Sequence, residues 1–184
     1  MSHGRPDFSN IPEPSVTPID GWHCSHLYYQ FDRAMLADMD ESDKEAARSD
    51  LNAVLNPEGD HAPQRLQTSI VSGQKGDFGL MVMDPDPLKI DAVKTRLAAS
   101  AMGPALLPTY SFVSITEISE YVPSVEQYAE KLIAEGEEKD SPAYEAKVNA
   151  YAQRLPMMNR QRLTPDFPQW PVTCFYPMNK KREV

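Results

Sequence analysis

The stretch LQTSIVSGQKGDFGLMVM, residues 66–83, decides the fold of this chain. Two short runs rich in β-branched and apolar residues, 66–72 and 78–83, flank the loop GQKGD at 73–77. A glycine-containing loop of this length between two such runs is typical of a β-hairpin. The segment therefore predicts two adjacent antiparallel strands.

A strand and a helix are predicted on each side of this hairpin. Before it, the aromatic run 21–32 predicts a strand, and 33–55 has apolar residues at roughly helical spacing. After it, 88–102 predicts a helix, and the β-branched run 109–122 predicts a strand. The order β-α-β-β-α-β over residues 20–122 predicts an α+β, ferredoxin-like domain, the unit of a dimeric α+β barrel. Its antiparallel sheet has both helices on one face, so we expect a partner to cover the other.

The two ends of the chain differ in composition from this domain. Residues 1–19 contain four prolines and predict an extended N-terminal arm. Residues 123–171 predict an acidic helical segment, divided at Pro142, and then a proline-rich linker. Residues 172–184, VTCFYPMNKKREV, predict a short aromatic strand that ends in a basic cluster.

Charge and composition exclude several classes of function. The 184 residues carry 18 Lys and Arg against 27 Asp and Glu, a net charge of −9, which disfavours binding to nucleic acid or anionic membranes. No apolar run is long enough to span a membrane. The two cysteines, Cys24 and Cys174, are too few and too distant for a disulfide framework or a cysteine-rich zinc site. A cytoplasmic location is expected.

Two groups of residues could carry chemistry. His23 and His26 lie three apart on a predicted strand and point to opposite faces, so they cannot easily share a metal. They are either ordinary strand histidines or include one iron ligand or acid-base group. The second group is the basic region 160–182, where arginines and lysines accompany Tyr176 in an otherwise acidic chain. It suits a small molecule with several carboxylates, or it is a solvated basic tail.

The string CFYPMNKKR at 174–182, together with RLTP at 162–165, resembles the haem-binding chlorite-dismutase-like family. Within that family it is most similar to the coproheme decarboxylases, the hydrogen-peroxide-dependent haem synthases. Three further stretches agree in order, and the resemblance spans roughly residues 20–182. These stretches are DGWHCSHLYYQFDR at 20–33, SGQKGDFGLMVMDPD at 72–86 and LLPTYSFVSITEISEY at 106–121.

The resemblance implies a specific reaction and a set of site residues. Members of this branch use peroxide to decarboxylate two propionates of iron coproporphyrin III (coproheme), which gives haem b. Tyr176 matches the catalytic tyrosine that forms the radical. Lys180 and Arg162 match residues that bind propionates, and Tyr121 matches a tyrosine that hydrogen-bonds a propionate.

The resemblance also implies that a part is missing. Family subunits contain two ferredoxin-like domains and assemble as pentameric rings, and a histidine of the second domain ligates the iron. None of the four histidines here matches that ligand, so we expect a complementary C-terminal haem-binding half on another chain. The chain is then a split-gene product, a nicked fragment or a truncated piece. Two other functions stay open: a haem-free oligomerisation or binding module, and a chlorite-decomposing or peroxidase-type haem enzyme.

Overall fold

The computed structural model describes residues 15–176 and contains one four-stranded sheet with five α-helices. The first unit comprises β1 (His23–Phe31), α1 (Arg33–Asp38), α2 (Glu41–Val54), β2 (Arg65–Ile70), β3 (Phe78–Asp84), α3 (Pro87–Ala99) and β4 (Leu106–Ile115). A 3₁₀ turn, Gly103–Ala105, precedes β4. Two further helices follow, α4 (Val125–Ala134) and α5 (Pro142–Leu163).

The strand order is β2-β3-β1-β4, and every neighbouring pair is antiparallel. The first strand therefore lies in the centre, between the second hairpin strand and the last strand. This arrangement confirms the predicted α+β, ferredoxin-like fold. The hairpin loop is held by Asp77, whose carboxylate accepts hydrogen bonds from the Phe31 amide at 2.7 Å and the Arg33 guanidinium at 2.8 Å.

The core lies between one face of the sheet and helices α2 and α3. Strand residues at alternate positions point into it, because successive side chains of a strand face opposite sides. The buried cluster contains Leu27 and Tyr29 of β1, Leu80 and Val82 of β3, Ala47 and Val54 of α2, and Ile90, Val93 and Leu97 of α3. Tyr29 and Phe78 stack across neighbouring strands at 5.3 Å, which adds aromatic packing to the apolar burial.

Element boundaries differ from the sequence predictions where pairing or capping decides them. The strand predicted at 109–122 ends at Ile115, because Ile115 pairs with His23, the first residue of β1, and no partner strand continues beyond it in the described part of the chain. The helical region predicted at 33–55, with a cap at 41–43 for its second half, is two separate helices, since Asp40 accepts a hydrogen bond from the Asp43 amide and starts a new helix.

The helix that begins at Pro142 is longer than predicted. It continues through Pro156 to Leu163, so the first part of the predicted linker is helical. A proline in a helix removes one internal hydrogen bond, but the eight residues from 156 to 163 stay helical and Thr164 caps them. Residues 165–176 form no regular element, and residues 177–184 of the predicted terminal strand lie outside the described residues. The proposed division into domains remains a prediction.

Within the described part of the chain, none of the helices is both long and apolar enough to cross a membrane.

Candidate functional site

The sheet has a second face, which points away from α2 and α3, and the candidate site lies on it. We call it the outer face. In register, Cys24 pairs with Met83, and His26 pairs with Met81 and Phe112. Although both helices lie on the opposite face, Cys24 is only 3% exposed and His26 only 6%. Another part of the chain must therefore cover this face.

Over His26 that cover comes from the chain after α5, residues 164–176, which we call the tail segment. The Phe175 ring stacks on the His26 imidazole with centroids 3.9 Å apart and an angle of 17° between the rings. The Phe112 ring meets the same phenylalanine edge-on at 6.1 Å. Such edge-to-face and offset contacts are the favourable arrangements of aromatic rings.

The other end of the tail segment is bound to the edge of the sheet. Arg65 of β2 forms an ion pair with Asp166 at 2.6 Å, and its guanidinium lies 5.3 Å from the centroid of the Trp22 ring. The Thr116 hydroxyl donates a hydrogen bond of 2.7 Å to the Leu163 carbonyl, just before the segment begins. The tail segment is thus attached near both ends.

Burial changes the acid-base properties of the two polar groups under this cover. Loss of water lowers the pKa of the His26 imidazole below its usual value, so the neutral ring is favoured. Burial raises the pKa of the Cys24 thiol, and a hydrogen bond from Ser114 opposes part of that rise. The Cys24 sulfur lies 3.6 Å from Nε2 of His26. The pair is therefore a neutral thiol beside a neutral imidazole.

The structure places three of the four sequence-predicted site residues. Tyr176 is the last described residue and is 64% exposed, directly after the stacked Phe175. Arg162 is exposed in the last turn of α5. Tyr121 is 72% exposed in the loop between β4 and α4. Lys180 lies outside the described residues.

These residues come from different segments. Across the described range 15–176, no hydrogen bond or ion pair joins the Tyr176 phenol to the Arg162 guanidinium. All three side chains are exposed to solvent and do not line one closed pocket. An exposed arginine and two exposed phenols can bind carboxylates of a molecule that a second surface holds against them.

Two of the three described histidines are engaged in contacts within the chain. His23 contacts the Val16 carbonyl through Nε2 at 2.8 Å, and Phe175 covers His26. His61 is exposed in the loop before β2. In the part of the chain that the structure describes, no three His, Cys, Asp or Glu side chains converge as a metal site.

Sequence reasoning missed the contact of Phe175 with His26 and Phe112. The alternation of Cys174, Phe175 and Tyr176 indicates that neighbouring side chains face different ways, but it does not say which surface the phenylalanine meets. It also missed the hydrogen bond from Thr116 to the Leu163 carbonyl, because the strand prediction placed Thr116 inside an unbroken strand.

Comparison with known proteins finds one matching family and several similar solved structures. The family described as "Chlorite dismutase" matches residues 44–184. A haem-binding protein from Thermus thermophilus is 20% identical, with a TM-score of 0.49 over 71% of this chain and 49% of that one. A mutant chlorite dismutase from Candidatus Nitrospira defluvii, in complex with cyanide, is 11% identical, with a TM-score of 0.46 over 64% of this chain and 50% of that one. The chain spans about half the length of these two solved structures.

Proposed function

This chain belongs to the chlorite dismutase family, as its match over residues 44–184 shows, and from that premise we propose that it is the N-terminal part of a coproheme decarboxylase. This oxidoreductase converts iron coproporphyrin III to haem b with hydrogen peroxide, in the cytoplasm, within a pentameric ring of subunits. The observation that carries the proposal is the position of Tyr176. Its side chain is 64% exposed beside a stacked neighbour, so a substrate bound by a second half can reach the phenol.

Tyr176 is the redox-active residue in this proposal. Its phenol gives up one electron and one proton, and the resulting radical takes a hydrogen atom from the propionate carbon next to the porphyrin ring. Each propionate loses carbon dioxide, one proton and two electrons and becomes a vinyl group. One hydrogen peroxide takes up two electrons and two protons and becomes two waters. A tyrosine suits this role because its phenol can give up one electron together with its proton and is restored when the radical takes a hydrogen atom.

The cationic side chains bind the propionates that react. The Arg162 guanidinium binds a carboxylate with two parallel hydrogen bonds, and Lys180 contributes a point charge near the tyrosine. The Tyr121 phenol donates a hydrogen bond to a further propionate. These groups suit the four carboxylates of iron coproporphyrin III. Arg162 is accessible for this contact because its side chain is exposed in the last turn of α5.

The described residues fit the carboxylate end of the substrate better than its iron. A haem iron takes a single axial side chain from the protein, and two of the described histidines already have contacts within the chain: the Phe175 ring covers His26, and His23 Nε2 contacts the Val16 carbonyl. We therefore assign the iron ligand to the complementary C-terminal half. Iron coproporphyrin III supplies the oxidising chemistry when bound, and this chain supplies the radical tyrosine and the propionate contacts.

A substitution series on the complex of both halves tests the proposal. Iron coproporphyrin III is added, its Soret band reports binding, and product masses report the loss of two carboxyl groups. Tyr176→Phe should keep the Soret band and lose decarboxylation, whereas Tyr110→Phe, at an exposed phenol on β4, should keep both. Normal turnover by Tyr176→Phe would refute the tyrosine assignment.

A matched pair of arginines tests the propionate contacts. Arg162→Gln should weaken coproheme binding about 10-fold or more, because hydrogen bonds to a charged group contribute about 1.5–3 kcal/mol. Arg154→Gln, an exposed position earlier on the same helix, should leave binding unchanged. Equal effects at the two positions would indicate general charge attraction instead of a specific contact.

One observation favours a haem-free binding module as the second candidate. Among the described residues, β4 is an edge strand, and it exposes Val113 and Ile115 on one face of the sheet and Tyr110 on the other. Apolar side chains along a free sheet edge suit pairing with another chain. If adding iron coproporphyrin III produces no Soret band, the result favours the haem-free binding module. A Soret band together with chlorite breakdown and intact propionates would select a chlorite-decomposing enzyme.

A further inference from the structure

The tail segment places a phenylalanine on the outer face, over the buried imidazole of His26. Phe175 lies over His26 with ring centroids 3.9 Å apart, and Phe112 meets it edge-on. His26 and Phe112 are cross-strand partners on β1 and β4, so they form a rigid two-strand platform. The rings of His26 and Phe112 also contact each other, at 6.2 Å. Three rings from three separate segments therefore form one cluster.

This cluster determines where the next residue can be. Consecutive Cα atoms are about 3.8 Å apart, so a fixed Phe175 leaves Tyr176 only a small volume to occupy. Phe175 is 39% exposed and Tyr176 is 64% exposed. The phenylalanine thus serves as the contact with the sheet, while the neighbouring phenol stays accessible.

The attachment at the start of the tail segment limits its movement further. Arg65 binds Asp166 at 2.6 Å, nine residues before Phe175. Pro168 and Pro171 lie between these two attachments, and each fixes one backbone dihedral. A short, proline-containing segment attached at both ends has few alternative paths across the sheet.

We propose that His26 and Phe112 are positioning residues for Tyr176, acting through the ring of Phe175. They do not touch the substrate. They hold the tail segment on the sheet so that the Tyr176 phenol is presented in one place to the reacting propionate. This inference rests on the proposed function for the identity of the reaction. The contact of the Phe175 ring with His26 and Phe112, which we call the anchor, is a property of the described chain.

The anchor is tested on the chain alone with a nitroxide spin label. Cys174 is exposed and adjacent to Phe175, and the Cys24→Ser background leaves it as the sole thiol. The labelled parent should give a slow-motion spectrum. Phe175→Ala should raise the ratio of mobile to immobile label at least about fivefold, since each of the two lost aromatic pairs contributes a factor of roughly 2 to 13.

Two controls separate the anchor from general loosening. Val172→Ala, at an exposed position of the same segment, should leave the spectrum unchanged. His26→Ala should mobilise the label, whereas His26→Phe, which keeps a flat ring under Phe175, should restore the parent spectrum. Circular dichroism on each variant confirms that the sheet is intact. An unchanged spectrum for both Phe175→Ala and His26→Ala would overturn the anchor.

The positioning role is tested on the complex of both halves. His26→Ala should lower kcat for decarboxylation about 10- to 100-fold with an unchanged KM for iron coproporphyrin III, because a misplacement of about 1 Å can cost about 100-fold. His26→Phe should recover the rate. A mobile label with an unchanged kcat would overturn the positioning role. If instead Tyr176→Phe turns over normally, the proposed function fails while the spin-label result still decides the anchor.

Discussion

Thr116→Val tests the connection between the sheet and the tail segment most directly. Thr116 follows the last residue of β4, and its hydroxyl joins two distant parts of the chain. The Trp22 amide donates to this oxygen at 2.8 Å, and the hydroxyl donates to the Leu163 carbonyl at 2.7 Å. Valine has nearly the same shape without the hydroxyl. The substitution therefore removes both hydrogen bonds and leaves the side-chain volume in place.

The expected loss follows from the two groups left without a partner. A buried amide or carbonyl that loses its hydrogen bond costs about 1–3 kcal/mol. Both bonds of Thr116 are only partly buried, so water replaces some of this energy. We expect a total loss of about 1–3 kcal/mol in the free energy of unfolding. The backbone bond from the Thr116 amide to the Trp22 carbonyl, 2.9 Å long, stays intact.

Thr109→Val is the matched control on the same strand. The Thr109 hydroxyl makes one exposed hydrogen bond of 3.2 Å to the Tyr28 carbonyl, which water can replace. Its loss should stay within about 0.5 kcal/mol. In urea, with a slope of roughly 2 kcal/mol per molar, Thr116→Val should lower the midpoint by about 0.5–1.5 M. Equal midpoints for the two variants would refute the connecting role of Thr116.

Three further predictions concern backbone, helix packing and pH. Gly21→Ala should lower the free energy of unfolding by about 2–5 kcal/mol, because Gly21 has φ +81° and a Cβ there meets the Thr116 carbonyl oxygen. Gly136→Ala, at φ +98° with open space around it, should cost only about 1–2 kcal/mol, and urea unfolding compares the two. Tyr151→Phe should cost about 1 kcal/mol in calorimetry, since it deletes a 2.7 Å hydrogen bond to a backbone carbonyl but keeps the ring stack. Burial lowers the pKa of His26, so the unfolded chain binds this proton first and stability should fall as the pH drops below 6.5. Between pH 7.5 and pH 5.5, the free energy of unfolding should fall less in His26→Phe than in the parent chain. An equal fall in both would contradict the assignment of this pH dependence to His26.

Much of the sheet was predictable because its signals are local. The hairpin loop at 73–77 and the continuous apolar run of β3 place two strands next to each other within a few residues of sequence. The hairpin and the two helical connections then allow only a few sheet topologies, and the observed strand order β2-β3-β1-β4 is one of them.

The predicted ends of β4 and α5 were wrong because each end depends on residues elsewhere in the chain. The β-branched run after Ile115 has strand propensity, but a strand ends where its neighbour ends, and β1 begins at His23. Likewise, the helix α5 passes Pro156 to reach Leu163, whose carbonyl is bound by Thr116. Neither limit can be read from propensity, because each is determined by a residue far away in sequence.

The candidate site divides in the same way. The sequence gives the chemistry of the predicted site, two phenols and two cations. These belong to Tyr176 and Tyr121 and to Arg162 and Lys180. The sequence by itself also determined the α+β class, because period-two and period-3.6 patterns are local properties. Only the tertiary structure decided that the tail segment returns to the outer face and that Phe175 rests on His26. Such a contact joins residues about 150 positions apart, and its energy depends on packing geometry that no local pattern encodes.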